Sequence, residues 1–146
     1  MSEPLDEIDT LLVRELVDDG RATLATLAEK AGLSVSAVQT RVRRLEARGV
    51  IRGYGARVAP EALGEELSAF VAITPFDPAG PDDAPARLAH IPEIRACHSV
   101  AGEESYVLLV RVESPRALER LLQLIRTTAN VRTRSTIILQ TFYDRT

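Results

Sequence analysis

The second half of the chain writes one short unit twice, and that repeat constrains the fold more than any other feature. The apolar segment "LSAFVAIT" (67–74) leads through a proline-rich loop into a helical stretch at 83–90 and then into "IRACHSVA" (94–101). The segment "SYVLLVRV" (105–112) leads into a helical stretch at 115–127 and then into "VRTRSTIILQTFY" (131–143). Ser114-Pro115 is a capping residue followed by proline at the first helical position, a strong start signal. A β-α-β-β-α-β order predicts a four-stranded antiparallel sheet with two helices on one face. The strands are apolar on both sides: Leu67, Ala69, Val71 and Ile73 oppose Phe70 and Ala72, and Tyr106, Leu108, Val110 and Val112 oppose Val107 and Leu109. On the last strand Ile137 and Leu139 oppose Ile138 and Phe142. Two helices cover one face, so the other is expected to meet a second subunit in a two-fold dimer.

The first half has a different period. Leu5, Ile8, Leu12 and Leu16 recur at three and four residues, which predicts a helix near 5–18, ended by "DDGR". Thr23 caps a second helix that buries Leu24, Leu27, Ala28 and Ala31 and stops before Gly32. Ser34 caps a third, which runs to about Arg48 and stops at Gly49. On this third helix Val35, Val38, Val42 and Leu45 form an inward face. The opposite face carries Ser36, Thr40, Arg43 and Ala47, flanked by Gln39 and Arg44.

That outward face combines small residues with hydrogen-bonding ones. A helix entering a major groove needs little bulk, a Gln to pair with adenine and an Arg to pair with guanine. The preceding helix and the brief "GLS" joint match helix-turn-helix geometry. Charge placement agrees. The chain is acidic, with net charge −3, and residues 1–59 hold nine basic and nine acidic side chains. Between Gln39 and Val58, however, six arginines face Glu46 alone, a local positive field. Acids beyond a Debye length of about 8 Å are screened from it at physiological salt.

"VIRGYGARV" (50–58) alternates and reads as an extended strand with a flexible bend; no helix pattern follows its "GYG", so it is not a phosphate cradle. Pro60 and Gly64 bracket a short turn. The expected organisation is a helical domain at 1–49, a strand-containing arm at 50–65 and an α/β domain at 66–146. No apolar run approaches the roughly 20 residues that span a bilayer, and the acidic N-terminus lacks the pattern of a secretion signal. Cys97 is the single cysteine, so no internal disulfide forms, and a cytoplasmic location is expected. His90, His98 and Cys97 share no metal-ligand spacing, and Cys97 reads as packing inside an apolar strand. Neither a catalytic constellation nor a metal or cofactor site is read here.

The motifs together resemble the Lrp/AsnC family, the leucine-responsive or feast/famine regulators. The run from "LDEIDTLL" through "LATLAEKAGLSVSAVQTRVRRLEARGVIRGYGARV" follows the family pattern "LD..D...L..L..D.R", "LA...GLS.S.V..R...LE..GVI.GY". The resemblance implies an α+β chain. A winged helix-turn-helix is joined by an extended arm to a ferredoxin-like βαββαβ domain for effector binding and dimerisation. It further implies a transcription regulator that binds double-stranded DNA, dimerises, assembles to an octamer and responds to an amino acid. The DNA-binding residues are then Ser34, Ser36, Gln39, Thr40, Arg41, Arg43, Arg44 and Arg52. "AGEESYVLLV" matches the family's effector turn at Gly102 and Tyr106, while Ser105 stands where aspartate is usual. Glu103 and Glu104 offer a carboxylate for a ligand's ammonium group. Thr133, Ser135 and Thr136 correspond to the hydroxyl-rich effector strand, where a ligand's carboxylate would bind. The alternative reading is an amino-acid-binding sensor or enzyme whose helical domain contacts protein.

Overall fold

In the computed structural model, residues 4–144 are described, and the chain divides into two compact units, Met1–Arg57 and Val58–Thr146. The first unit holds α1 (Glu7–Asp18), α2 (Leu24–Ala31) and α3 (Val35–Ala47). Each begins with a side-chain cap: Asp6 accepts from the Asp9 amide at 2.7 Å, Thr23 from Thr26 at 3.1 Å and Ser34 from Ala37 at 3.2 Å. These bonds satisfy amides that have no partner inside the helix. Gly32 ends α2 at φ 65° and Gly49 follows α3 at φ 70°, left-handed backbone that glycine adopts without a Cβ clash. Leu12, Leu27, Ala28, Val38 and Val42 form the core, with Ile8, Leu16 and Ile51 packed against it. Val35, expected inside, is 48% exposed: it is the first residue of α3, where the stripe begins beyond the packed turns.

The arm departs from its sequence reading. Residues 50–58 contain no strand. Gly53 has φ 155°, which interrupts the extended run, and the segment has no ladder partner among the described residues. A wing in the strict sense is therefore not part of the first unit. Tyr54 is instead tied to α3, its hydroxyl donating to Glu46 Oε1 at 2.8 Å. Desolvation, with Glu46 beside it, pushes the phenol up to about 12.

The second unit opens with a 3-10 turn, Pro60–Leu63, closed by Gly64. Then come β1 (Leu67–Pro75), α4 (Ala84–Leu88), β2 (Ile94–Ser99), β3 (Tyr106–Val112), α5 (Pro115–Ala129) and β4 (Val131–Ile138). The sheet order is β2-β3-β1-β4 with every neighbouring pair antiparallel. Under the helices, Ala69, Val71, Ile73, Leu108, Val110 and Val131 are fully buried against Leu88, Leu118, Leu121 and Ile125. The opposite face pairs Phe70 with Leu109 and Ala72 with Val107, and Phe70 is 47% exposed.

Three boundaries are shorter than the sequence pattern. α4 spans five residues, not 83–90. β2 ends at Ser99, not at Ala101. β4 ends at Ile138, so Leu139 and Phe142 lie outside the sheet and are exposed. Cys97 is also exposed, because β2 is an edge strand with a bulge between Ile94 and Ala96. Partial burial still raises its thiol pKa. Among the described residues no helix is long and apolar enough to cross a membrane.

Candidate DNA-reading helix and effector loop

α3 presents two faces of different character. Val38, Val42 and Leu45 are buried, which turns Ser36, Thr40, Arg43 and Arg44 to the surface, with Ser34 at the cap. Gln39 is half-buried at the edge of that face. Three of the polar side chains make local bonds. The Thr40 hydroxyl donates to Ser36 O at 3.0 Å, and the Ser34 and Ser36 hydroxyls lie 3.2 Å apart. Arg43 forms no ion pair among the described residues. Arg52 and Arg57 are exposed on the arm.

Arg41 sits differently. Its Nη1 donates to Asp6 Oδ2 and to Asp9 Oδ1, each at 2.7 Å. Arg44 Nη2 donates to Asp9 Oδ2 at 2.7 Å. Asp9 is 1% exposed, so one buried carboxylate of α1 receives two guanidinium groups from α3. Charge-assisted bonds of this kind are short and strong. Hydrogen bonding to Arg41 holds the Asp6 carboxyl below its ordinary range and raises the Arg41 guanidinium in return. Arg41 thus faces α1, with its side chain 26% exposed, while Arg44 is 52% exposed and keeps an open side.

Sequence reasoning entered Asp6 and Asp9 only in the charge count and missed this clamp. A signal was present. Asp9 falls four residues after Leu5 and three before Leu12, on the apolar stripe itself. A carboxylate placed there needs a cation on the helix it packs against.

The loop between β2 and β3 carries Gly102, Glu103, Glu104 and Ser105. Its ends are fixed by Val100 N donating to Ser105 O and Ser105 N donating to Ile73 O, both at 3.1 Å. Gly102 and Glu103 are exposed, and a Cβ added at Gly102 would meet nothing within 4 Å. Glu104 points to β4, where Arg134 Nη2 donates to its Oε1.

The three hydroxyl residues of β4 do not converge. Thr133 pairs with Ile73 and Ser135 with Val71, on the helix-covered face, whereas Thr136 pairs with Phe70 on the open face. Arg126 of α5 donates to the Thr133 hydroxyl at 2.9 Å. Arg134, which the sequence reading did not single out, is the β4 residue that reaches the loop.

Comparison with known proteins agrees with this architecture. The family model of the AsnC-type helix-turn-helix domain matches residues 5–46, and that of the Lrp/AsnC ligand binding domain matches residues 68–146. The chain is 76% identical to the HTH-type transcriptional regulator LrpA of Mycobacterium tuberculosis, over 99% of this chain and 96% of that protein. It is 39% identical to the leucine-responsive regulatory protein of Salmonella typhimurium, over 81% of this chain and 73% of the other. A structure of the feast or famine regulatory protein from M. tuberculosis complexed with L-methionine superposes with TM-score 0.95 at 75% identity, covering 97% and 96% of the two chains. These relatives are regulators and not enzymes. A DNA-binding helical unit followed by an antiparallel α/β unit, matched along both halves, makes this chain a transcription regulator of the Lrp/AsnC family.

Proposed function

We propose that the regulator reads operator DNA with the exposed face of α3. Ser36, Gln39, Thr40 and Arg43 meet base edges, and Ser34, Arg44, Arg52 and Arg57 meet flanking phosphates. Phosphate contacts carry most of the affinity and base contacts the discrimination. Arg41 serves from behind, its guanidinium committed to Asp6 and Asp9, and fixes the pitch of α3 against α1. The observation that carries this reading is the exposed Arg43, without an ion pair among the described residues, on a helix whose other face buries Val38, Val42 and Leu45.

Two copies act together. The open sheet face, with Phe70, Ala72, Val107 and Leu109 at its centre, closes against the same face of a second chain. Such a patch is self-complementary under a two-fold axis and exceeds what a monomer usually leaves to water. Dimers assemble further to an octamer in the cytoplasm, and a small amino acid bound beside Gly102, Glu103, Glu104 and Ser105 modulates assembly or DNA affinity. The L-methionine complex of the M. tuberculosis relative supports this class of effector; of the three β4 hydroxyls, Thr136 alone shares the open face with Arg134 and remains a candidate carboxylate partner.

Arg43→Ala tests the DNA reading. Quantitative gel shifts on a selected operator are expected to show a loss of about 1–3 kcal/mol, with relaxed preference at one base pair. Unchanged affinity and unchanged preference would remove Arg43, and with it the proposed face, from recognition.

A further inference from the structure

The pair Glu104–Arg134 ties the β2–β3 loop to β4, and its two halves are unequally sheltered. The Glu104 side chain is 21% exposed and that of Arg134 is 71% exposed. A surface pair of this type contributes little net stability, since solvent competes for both ions. Arg134 lies opposite Ala72 in the β1–β4 ladder, on the open face of the sheet and on its edge strand. Its long side chain has room to swing away while Glu104 stays held by the loop.

The geometry points to an exchange of ion-pair partners at this place: an α-amino acid enters by replacing the Arg134 guanidinium on Glu104 with its own ammonium group, and the released Arg134 takes the ligand's carboxylate. This rests on the proposal that the 102–105 loop is the effector site, and it adds a residue and a rule of selection to it. The α-ammonium and α-carboxylate of a zwitterion are adjacent, so one ligand inserts into the existing pair and leaves four alternating charges, each with a partner. A planar guanidinium is suited to receive a carboxylate through two parallel bonds.

Selection follows from the starting state. An amine without a carboxylate displaces Arg134 and gives it nothing in return. A carboxylic acid without an ammonium group has no means of displacing Arg134, and would add its charge beside Glu104. Both analogues leave one charged group without its counterpart, a deficit that ordinary hydroxyl partners at Thr133, Ser135 and Thr136 would not create. Arg134 is in this sense a specificity-determining residue for zwitterions.

The test is titration calorimetry on the full chain with L-methionine, its decarboxylated amine and its deaminated acid, for wild type, Arg134→Met and Glu104→Gln. Wild type is expected to prefer methionine over either analogue by about tenfold to a hundredfold, the scale of one charge-assisted bond. In Arg134→Met the methionine affinity falls by a similar factor, while the amine binds more tightly than to wild type because Glu104 no longer has a competitor. The preference between the two then collapses. If Arg134→Met keeps the wild-type preference while Glu104→Gln abolishes binding, the loop is the effector site and the exchange is wrong. If methionine does not bind wild type, or binds Glu104→Gln as it binds wild type, the effector reading of the loop fails and takes the exchange with it.

Discussion

Asp9 is the one charged side chain buried among the described residues, and its surroundings explain why burial is tolerated. Both carboxylate oxygens are occupied, Oδ1 by Arg41 and Oδ2 by Arg44. Asp9→Asn removes the charge, takes from Arg44 its Asp9 partner and leaves Arg41 with Asp6, so urea unfolding is expected to show a loss of about 2 kcal/mol. Asp6 behaves more mildly because it lies at the surface. Its folded pKa is held below the ordinary value of 3.8, so its contribution is complete above that value and is lost as pH falls through the lowered one. The prediction is a stability profile that declines in acid, with a shallower decline in Asp6→Asn when unfolding midpoints are compared across pH. The apolar stripe made Asp9 legible in the sequence. Arg134 was not legible, because its partner Glu104 lies 30 residues away and only the folded loop brings the two together.

Helices were easier to read than the segments between them, for a physical reason. Caps and stops are local chemistry. Ser34 and Ser114 accept from the amide three residues on, and Gly32 takes the left-handed turn that ends α2. Ser34→Ala is expected to lower stability by about 1 kcal/mol, and Gly32→Ala by about 1–2 kcal/mol, since a Cβ is strained there whatever the space around it; chemical denaturation of each variant measures both. Strands are a different matter, because a strand exists only where a neighbour supplies its ladder. "VIRGYGARV" alternates as a strand would, yet among the described residues no partner strand lies beside residues 50–58. The last apolar run continues to Tyr143 in sequence, but β4 ends at Ile138, opposite Ser68 near the start of β1. α4 is short for a related reason. "DDAPARLAHIPEI" carries prolines at 85 and 92, which confine helical bonding between them.

At the scale of the molecule, an acidic chain binds DNA because its charge is sorted by element and not by sum. The first unit is neutral overall, yet the helix and arm from Gln39 to Val58 are strongly positive. Part of that field is withdrawn by α1, whose Asp6 and Asp9 engage Arg41 and Arg44. What remains outward is the set assigned to DNA. The proposed pairing of two copies rests on the second unit. Phe70→Glu places a charge at the centre of the open face without touching the buried side of the sheet, so sedimentation is expected to show monomer where wild type is dimeric or larger, with far-UV circular dichroism unchanged. The central claim is that paired copies of α3 hold duplex DNA through arginine. Its most direct test is the affinity of the full chain for a selected operator duplex across a salt series. With Arg44, Arg52 and Arg57 from each of two copies the account predicts about six phosphate contacts and a slope of log affinity against log salt of about −5. A slope near zero, or no binding in dilute buffer, would contradict it.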